Sequence, residues 1–173
     1  MKALLLIDLQ NDYFPGGRFP LKGISRAARN AAALLDDFRN RGLPVVHVMH
    51  LRPSRGPEQD DKPGVFFVEG TAGADIHSTV SPMKTEPVVA KRYPNAFRDT
   101  GLDNILRVLE VDSVHIAGAM TNMCVDSTVR AAYDLGYSVT VHEKACAARG
   151  FLGTNLVHLV SIKTLASVFA SIQ

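Results

Sequence analysis

Gly118-Ala119-Met120-Thr121-Asn122-Met123-Cys124-Val125-Asp126-Ser127-Thr128-Val129-Arg130 is the stretch on which the reading of this chain turns. Ahead of it, Ser113 to Ala117 is an apolar run of strand length. Behind it, an amphipathic run continues to Gly136, where a helix can end in the left-handed conformation that glycine adopts freely. A strand followed at once by a helix puts Cys124 in a first helical turn, just beyond the carboxyl end of a central strand. Open α/β sheets bind their ligands there. Unpaired backbone N–H groups and the helix macrodipole favour a thiolate at such a place, so Cys124 is read as a nucleophile.

The flanking chain repeats this alternation. Lys2 to Asp8 is a continuous apolar run closed by an acid, the pattern of a strand buried on both faces of a parallel sheet. Ile24 to Arg41 carries apolar residues at Ala27, Ala31, Leu34, Leu35 and Phe38, the 3.6-residue period of a helix, with Ser25 near its start and Gly42 after its end. Leu43 to Met49 reads as the second strand, Pro87 to Lys91 as the third, Leu102 to Glu110 as a helix. In the helix after Cys124, Val125, Thr128, Val129, Ala132 and Leu135 form the expected inward face. Tyr137 to His142 is the fifth strand, Asn155 to Phe169 the last helix, and Ala170 to Ile172 a short terminal strand. The fold class expected is therefore α/β: a three-layer α/β/α arrangement with a doubly wound, mainly parallel sheet of five to six strands, forming a single domain over residues 1–173. Residues 51–86 lack periodicity and are rich in Pro, Gly and acids. A segment of that length inside a compact domain is expected to cover the site or an interface.

Right-handed crossovers bring every strand's carboxyl end to one rim. Asp8, Lys91 and Cys124 are all expected at that rim. A thiol is only a few per cent thiolate at neutral pH; a lysine beside it stabilises the thiolate, and a carboxylate can take the thiol proton and return it to a leaving amine. These three residue types suffice for acyl transfer without a histidine. Cys146, after Lys144 and Ala145, is read as packing.

Composition bounds the alternatives. The chain has 173 residues, 46% hydrophobic and 21% charged, with a formal net charge of +2. Its basic residues are scattered, which makes no case for nucleic acid or a membrane surface. No apolar run is long enough for a membrane span, and the start does not read as a signal peptide. Two cysteines make no disulfide framework, so a cytoplasmic, reducing location is expected.

Several segments resemble the isochorismatase-like cysteine hydrolases, the superfamily that includes nicotinamidases, N-carbamoylsarcosine amidase and ureidoacrylate or biuret hydrolases. The resemblance is carried by Leu5-Leu6-Ile7-Asp8-Leu9-Gln10-Asn11-Asp12-Tyr13-Phe14, by Glu86 to Lys91, by Asn95-Ala96-Phe97, and by the spacing G-x-x-T-x-x-C-V-x-x-T-x-x-A-x-x-x-G-Y over Gly118 to Tyr137. It implies a catalytic triad of Asp8, Lys91 and Cys124 acting through a thioester. It also implies a cis Ala119–Met120 bond and an oxyanion hole from the N–H groups of Met120 and Cys124. Phe14, Tyr93, Phe97 and Ala119 become the candidates for substrate binding, and a homo-oligomer, dimer or tetramer, is expected on the same ground.

Two departures shape the functional expectation. Nicotinamidases of the superfamily hold a divalent metal through an Asp-x-His after the second strand, whereas this chain has Val48-Met49-His50. His47 and His50 are three apart on a strand and so face opposite ways. No catalytic metal and no cofactor is expected. Lys144 stands where the family commonly has an acid. The expected function is hydrolysis of a C–N bond in a small amide, carbamoyl or ureido compound. The alternatives are an isochorismatase-type vinyl ether hydrolase and a non-catalytic protein whose Cys124 is reversibly oxidised.

Overall fold

The computed structural model describes residues 1–150 and 154–173. Six parallel strands form one sheet: β1 (Lys2–Ile7), β2 (Val45–His50), β3 (Val88–Lys91), β4 (Ser113–Ala119), β5 (Ser138–Ala147) and β6 (Ser171–Ile172), in the order β3-β2-β1-β4-β5-β6. The helices are α1 (Ile24–Asn40), a single turn α2 (Pro57–Asp60), α3 (Leu102–Val108), α4 (Asp126–Asp134) and α5 (Leu156–Val168). The chain winds outward from β1 in one direction and from β4 in the other, so the crevice at the topological switch point opens between those two adjacent strands.

Alternation along β1 explains the three layers. Ala3, Leu5 and Ile7 face a core shared with Leu102, Leu106, Val129, Ile162 and Leu165 of α3, α4 and α5. Leu4 and Leu6 face a second core built from Ala27, Ala31, Leu35 and Phe38 of α1, together with Phe67 and Val80 of the 51–86 segment. A strand with apolar residues at successive positions suits only a sheet covered on both sides. No helix among the described residues is long and apolar enough to cross a membrane.

Three local expectations are corrected. The N-cap of α1 is Gly23, at φ 81°, and not Ser25. The fifth strand does not stop at His142 but continues to Ala147, resuming its pairing with β4 at Gly118–Cys146 after an irregularity. Leu135 does not complete the inward face of α4, because it is 41% exposed beyond the helix's last turn. In α5 only Ile162 and Leu165 are buried, while Leu156, Leu159, Val160 and Val168 lie exposed.

One glycine makes the switch point possible. Gly118 pairs with Ile7 at φ +140°, and a Cβ there would stand 2.0 Å from the Ile7 carbonyl oxygen. Only a residue without a side chain lets β4 press this closely against β1. The residues that follow the two strands, Asp8 and the turn carrying Cys124, are thereby drawn together.

Candidate active site

Asp8 follows β1 directly, at φ 50°, and is fully buried. Lys91, the last residue of β3, is 1% exposed and reaches across the end of β2. Its Nζ donates to Asp8 Oδ2 at 2.8 Å, to His50 Nδ1 at 3.2 Å and to the Tyr93 carbonyl at 3.1 Å. An ammonium group has three protons and no lone pair, so three acceptors satisfy it and His50 must present Nδ1 as an acceptor. Burial, Lys91 and Arg52 together hold the imidazole neutral, lowering its pKa to about 4.

Asp8 Oδ1 has no hydrogen-bond partner among the described residues. A carboxylate oxygen of Asp8, a ring nitrogen of His50 and the Cys124 sulfur all lie within 4.8 Å of one another. Burial raises the Asp8 pKa against the opposing pull of Lys91. Burial also pushes the Cys124 thiol above its ordinary range, with the Asp8 charge adding to the effect and Lys91 opposing it.

This reverses the expected direction for the thiol. Lys91 is ion-paired with Asp8, so the sulfur meets a nearly neutral pair instead of an isolated cation. The helix terminus is also farther along the chain than expected. Thr121–Val125 forms a π-helical turn, and α4 begins at Asp126. The sulfur therefore stands beside a buried Asp8–Lys91 salt bridge, in surroundings that favour its neutral form.

The peptide bond Ala119–Met120 is cis. The Met120 carbonyl accepts from the N–H groups of Met123 and Val125, at 3.0 and 3.2 Å. Thr121, fully buried, shares a 2.9 Å hydrogen bond with His158 Nδ1 of α5, which ties the turn to the helix layer.

A cavity of about 630 Å³ opens above Cys124, within the range of small-molecule sites. Its apolar wall comes from Tyr13, Phe66, Pro94, Met120 and Met123. The four residues expected to bind substrate are not among those lining this cavity, although Tyr93 and Ala119 adjoin residues that are. Phe14 is buried in a stack with His77, ring centroids 3.5 Å apart. Phe97 stacks on Tyr137 at 5.9 Å, and the adjacent Ala96 N–H donates to Thr128 Oγ1 of α4. Tyr93 lends its carbonyl to Lys91 while its ring lies under the Arg98 guanidinium. Ala119 is fully buried at the end of β4.

Several residues acquire roles that their spacing did not announce. Gln10, fully buried, brackets His50: its Oε1 accepts from the His50 N–H, and its Nε2 donates to the His50 and Ala74 carbonyls. Asp12 accepts from the backbone N–H groups of Phe67 and Arg18. The stretch after Asp8 thus fastens the 51–86 segment over the site. Gly73 packs so tightly on Asp12 that a Cβ would fall 2.2 Å from its carboxylate. Gln10 and Asp12 just after the strand were visible in the sequence; their distant partners His50, Phe67 and Ala74, 40 to 64 residues away, were not.

The donors Asp8, His50 and Cys124 could in principle converge on a metal ion. They do not fit one here, because the Lys91 ammonium already stands against two of the three donors. His47 turns to the opposite face of β2, where its Nε2 meets Glu86 at 2.9 Å.

The Isochorismatase domain profile matches residues 2–173. The chain belongs to the isochorismatase family. It is a hydrolase of that family, and its six-stranded sheet is the family's fold. It is 38% identical to the uncharacterized isochorismatase family protein YddQ of Bacillus subtilis, over 99% of this chain and 94% of that one. It is 30% identical to nicotinamidase of Escherichia coli, over 84% of this chain and 82% of the relative. Among solved structures, N-carbamoylsarcosine amidase from Thermoplasma acidophilum superposes with a TM-score of 0.84 at 25% identity, covering 99% of this chain and 95% of that one.

Proposed function

We propose that the protein hydrolyses a C–N bond of a small amide, carbamoyl or ureido compound through a thioester on Cys124. The observation that carries this reading is the buried Asp8–Lys91 pair beside the Cys124 sulfur, in which Asp8 Oδ1 has no hydrogen-bond partner among the described residues. Cys124 passes its proton to Asp8, whose raised pKa makes it a better base than an exposed carboxylate. The transfer conserves charge: Lys91, freed from its anionic partner, now faces the thiolate.

Sulfur attacks the carbonyl carbon and the C=O electrons move to oxygen. The N–H groups of Met120 and Cys124 are the proposed donors to that oxyanion; such a donor is worth roughly 10²–10³ in rate. Collapse breaks the C–N bond, and protonated Asp8 delivers its proton to the leaving amine. Water, deprotonated by Asp8, then attacks the thioester, releasing a carboxylic or carbamic acid and restoring the thiol. Relatives named as amidases support a C–N bond as the target. A buried, protonated thiol is poorly suited to peroxide sensing, which favours accessible thiolates.

The test is ammonia release from a panel of small amides, carbamoyl and ureido compounds. Turnover by the wild-type chain that disappears in Cys124→Ala is the expected result. Equal release by both proteins would remove Cys124 from the mechanism.

A further inference from the structure

The floor and the walls of the Cys124 cavity differ in charge. At the floor, Asp8 and Lys91 cancel and His50 is neutral. The walls carry Arg52, Arg55, Lys62 and Arg92, against one carboxylate, Asp60. That carboxylate is already engaged: it accepts from the Ser54 hydroxyl and the Arg55 N–H, and its backbone carbonyl takes the Arg18 guanidinium.

The cations are not similarly engaged. Arg39, Arg107 and Arg130 each hold a carboxylate at 2.7 to 2.9 Å. By contrast Arg52, Arg55 and Lys62 have no ion-pair partner among the described residues, and Arg92 meets Glu69 only at 3.4 Å. Arg52 is also held in place. Its guanidinium lies over the Phe66 ring, 4.6 Å from the centroid, and its backbone N–H and C=O bond Phe67 and Glu69. Its charge reaches the floor of the cavity, where it helps keep His50 neutral.

We infer that the substrate carries a carboxylate, or an equivalent anionic group, at the end remote from the scissile bond, and that Arg52 receives it. A guanidinium presents paired N–H donors that match a carboxylate, and stacking on an aromatic ring fixes the plane of that fork. Arg55, Lys62 and Arg92 add an attractive field around it that exposed charges lose at high salt. The inference rests on the proposed hydrolase reading for the identity of the reacting end, but its test reads binding without turnover.

The probes are succinamate, an amide with a carboxylate at the far end, and butyramide, an uncharged analogue. Each is titrated as a protectant of Cys124 against iodoacetamide, with labelling of the Cys124 peptide followed by mass spectrometry. Succinamate is expected to protect at concentrations roughly tenfold to a hundredfold lower than butyramide, the range of a charge-assisted contact. The advantage should collapse in Arg52→Met, which keeps an apolar side chain on Phe66, be partly retained in Arg52→Lys, and shrink at high ionic strength. Equal protection by the two compounds, protection by neither, or an advantage untouched in a folded Arg52→Met overturns the inference. An absence of ammonia release from either compound bears on the hydrolase reading alone.

Discussion

Cys124 and Cys146 are both free and both buried, 5% and 7% exposed, and they follow or end adjacent strands of the same sheet. Both thiols are pushed upward by burial, that of Cys146 to about 12. Each borders a cavity, Cys146 one of about 390 Å³ lined also by Lys22, Arg26, Lys144 and His158. By exposure or acidity alone the two could not be told apart. They differ in what stands beside the sulfur. Cys124 has a carboxylate whose Oδ1 has no hydrogen-bond partner among the described residues, and an ammonium group at that carboxylate's other oxygen. Cys146 lies against the Gly118 backbone, with Glu143 the charge that acts on it among the described residues. In the proposed mechanism a buried thiol is put to work by a base that can take its proton while a cation remains behind, not by a resting thiolate.

The sharpest way to break this comparison is to remove each sulfur in turn. Cys124→Ala is expected to lower ammonia release by at least ~10⁴-fold, as loss of a nucleophile does. Cys146→Ala should leave turnover within about threefold and cost only on the order of 1 kcal/mol in stability, read from urea unfolding. Comparable losses of turnover in both variants would erase the distinction.

Removing the cation comes next in size. Lys91→Met strands the buried Asp8 carboxylate, and breaking a buried pair this way costs about 3–5 kcal/mol. Turnover should fall by roughly 10²–10³, as befits a lost charge at the reacting centre. A stable Lys91→Met with normal turnover would contradict the role assigned to the pair.

A partly buried charge cluster around Glu86, which includes His47 of β2, sharpens the comparison as a control. Glu86 accepts from Arg39 Nε and Nη2 and from the Met83 N–H, and shares a hydrogen bond with His47. Burial alone would raise its pKa, but those partners outweigh it and bring the carboxyl down from 4.5 to about 2. A depressed carboxylate contributes stability above its unfolded pKa and loses it as pH falls through the folded value. Glu86→Gln should therefore cost up to about 3 kcal/mol at neutral pH, a deficit that narrows as pH falls from about 5 toward 2. Thermal unfolding of the two proteins across that range checks the sign. The relative reactivity of Cys124 and Cys146 should not change.

The fold was largely legible because β1 and β4 are mainly apolar runs followed by the chemistry-bearing residues Asp8 and Cys124, and a doubly wound sheet brings such strand ends to one rim. Asp8, Lys91 and Cys124 could be placed there by topology alone. What was not legible depended on sums and on distant partners. The thiol's direction of shift is a balance of burial, Asp8 and Lys91 whose terms share one small volume. Phe14 and Phe97 are aromatic residues in loops near the rim, yet His77 and Tyr137 claim their rings from segments far away in the chain. Arg52 sits in a stretch without periodicity, and only the packing of Phe66 beneath it shows that it faces the cavity.

Asp8→Asn tests the central claim most directly, because it removes the proton acceptor and leaves the cation in place. Alkylation of Cys124 by iodoacetamide at pH 7 is measured in wild type and variant, with Cys146 in the same samples as the reference. With the Asp8 charge gone and Lys91 unpaired beside the sulfur, Cys124 should react about tenfold faster, a shift of about one pKa unit, while Cys146 is unchanged. Ammonia release should fall by roughly 10²–10⁴ in the same variant, since the base is missing. Alkylation of Cys124 at the wild-type rate or slower, or turnover that survives the substitution, would contradict the account.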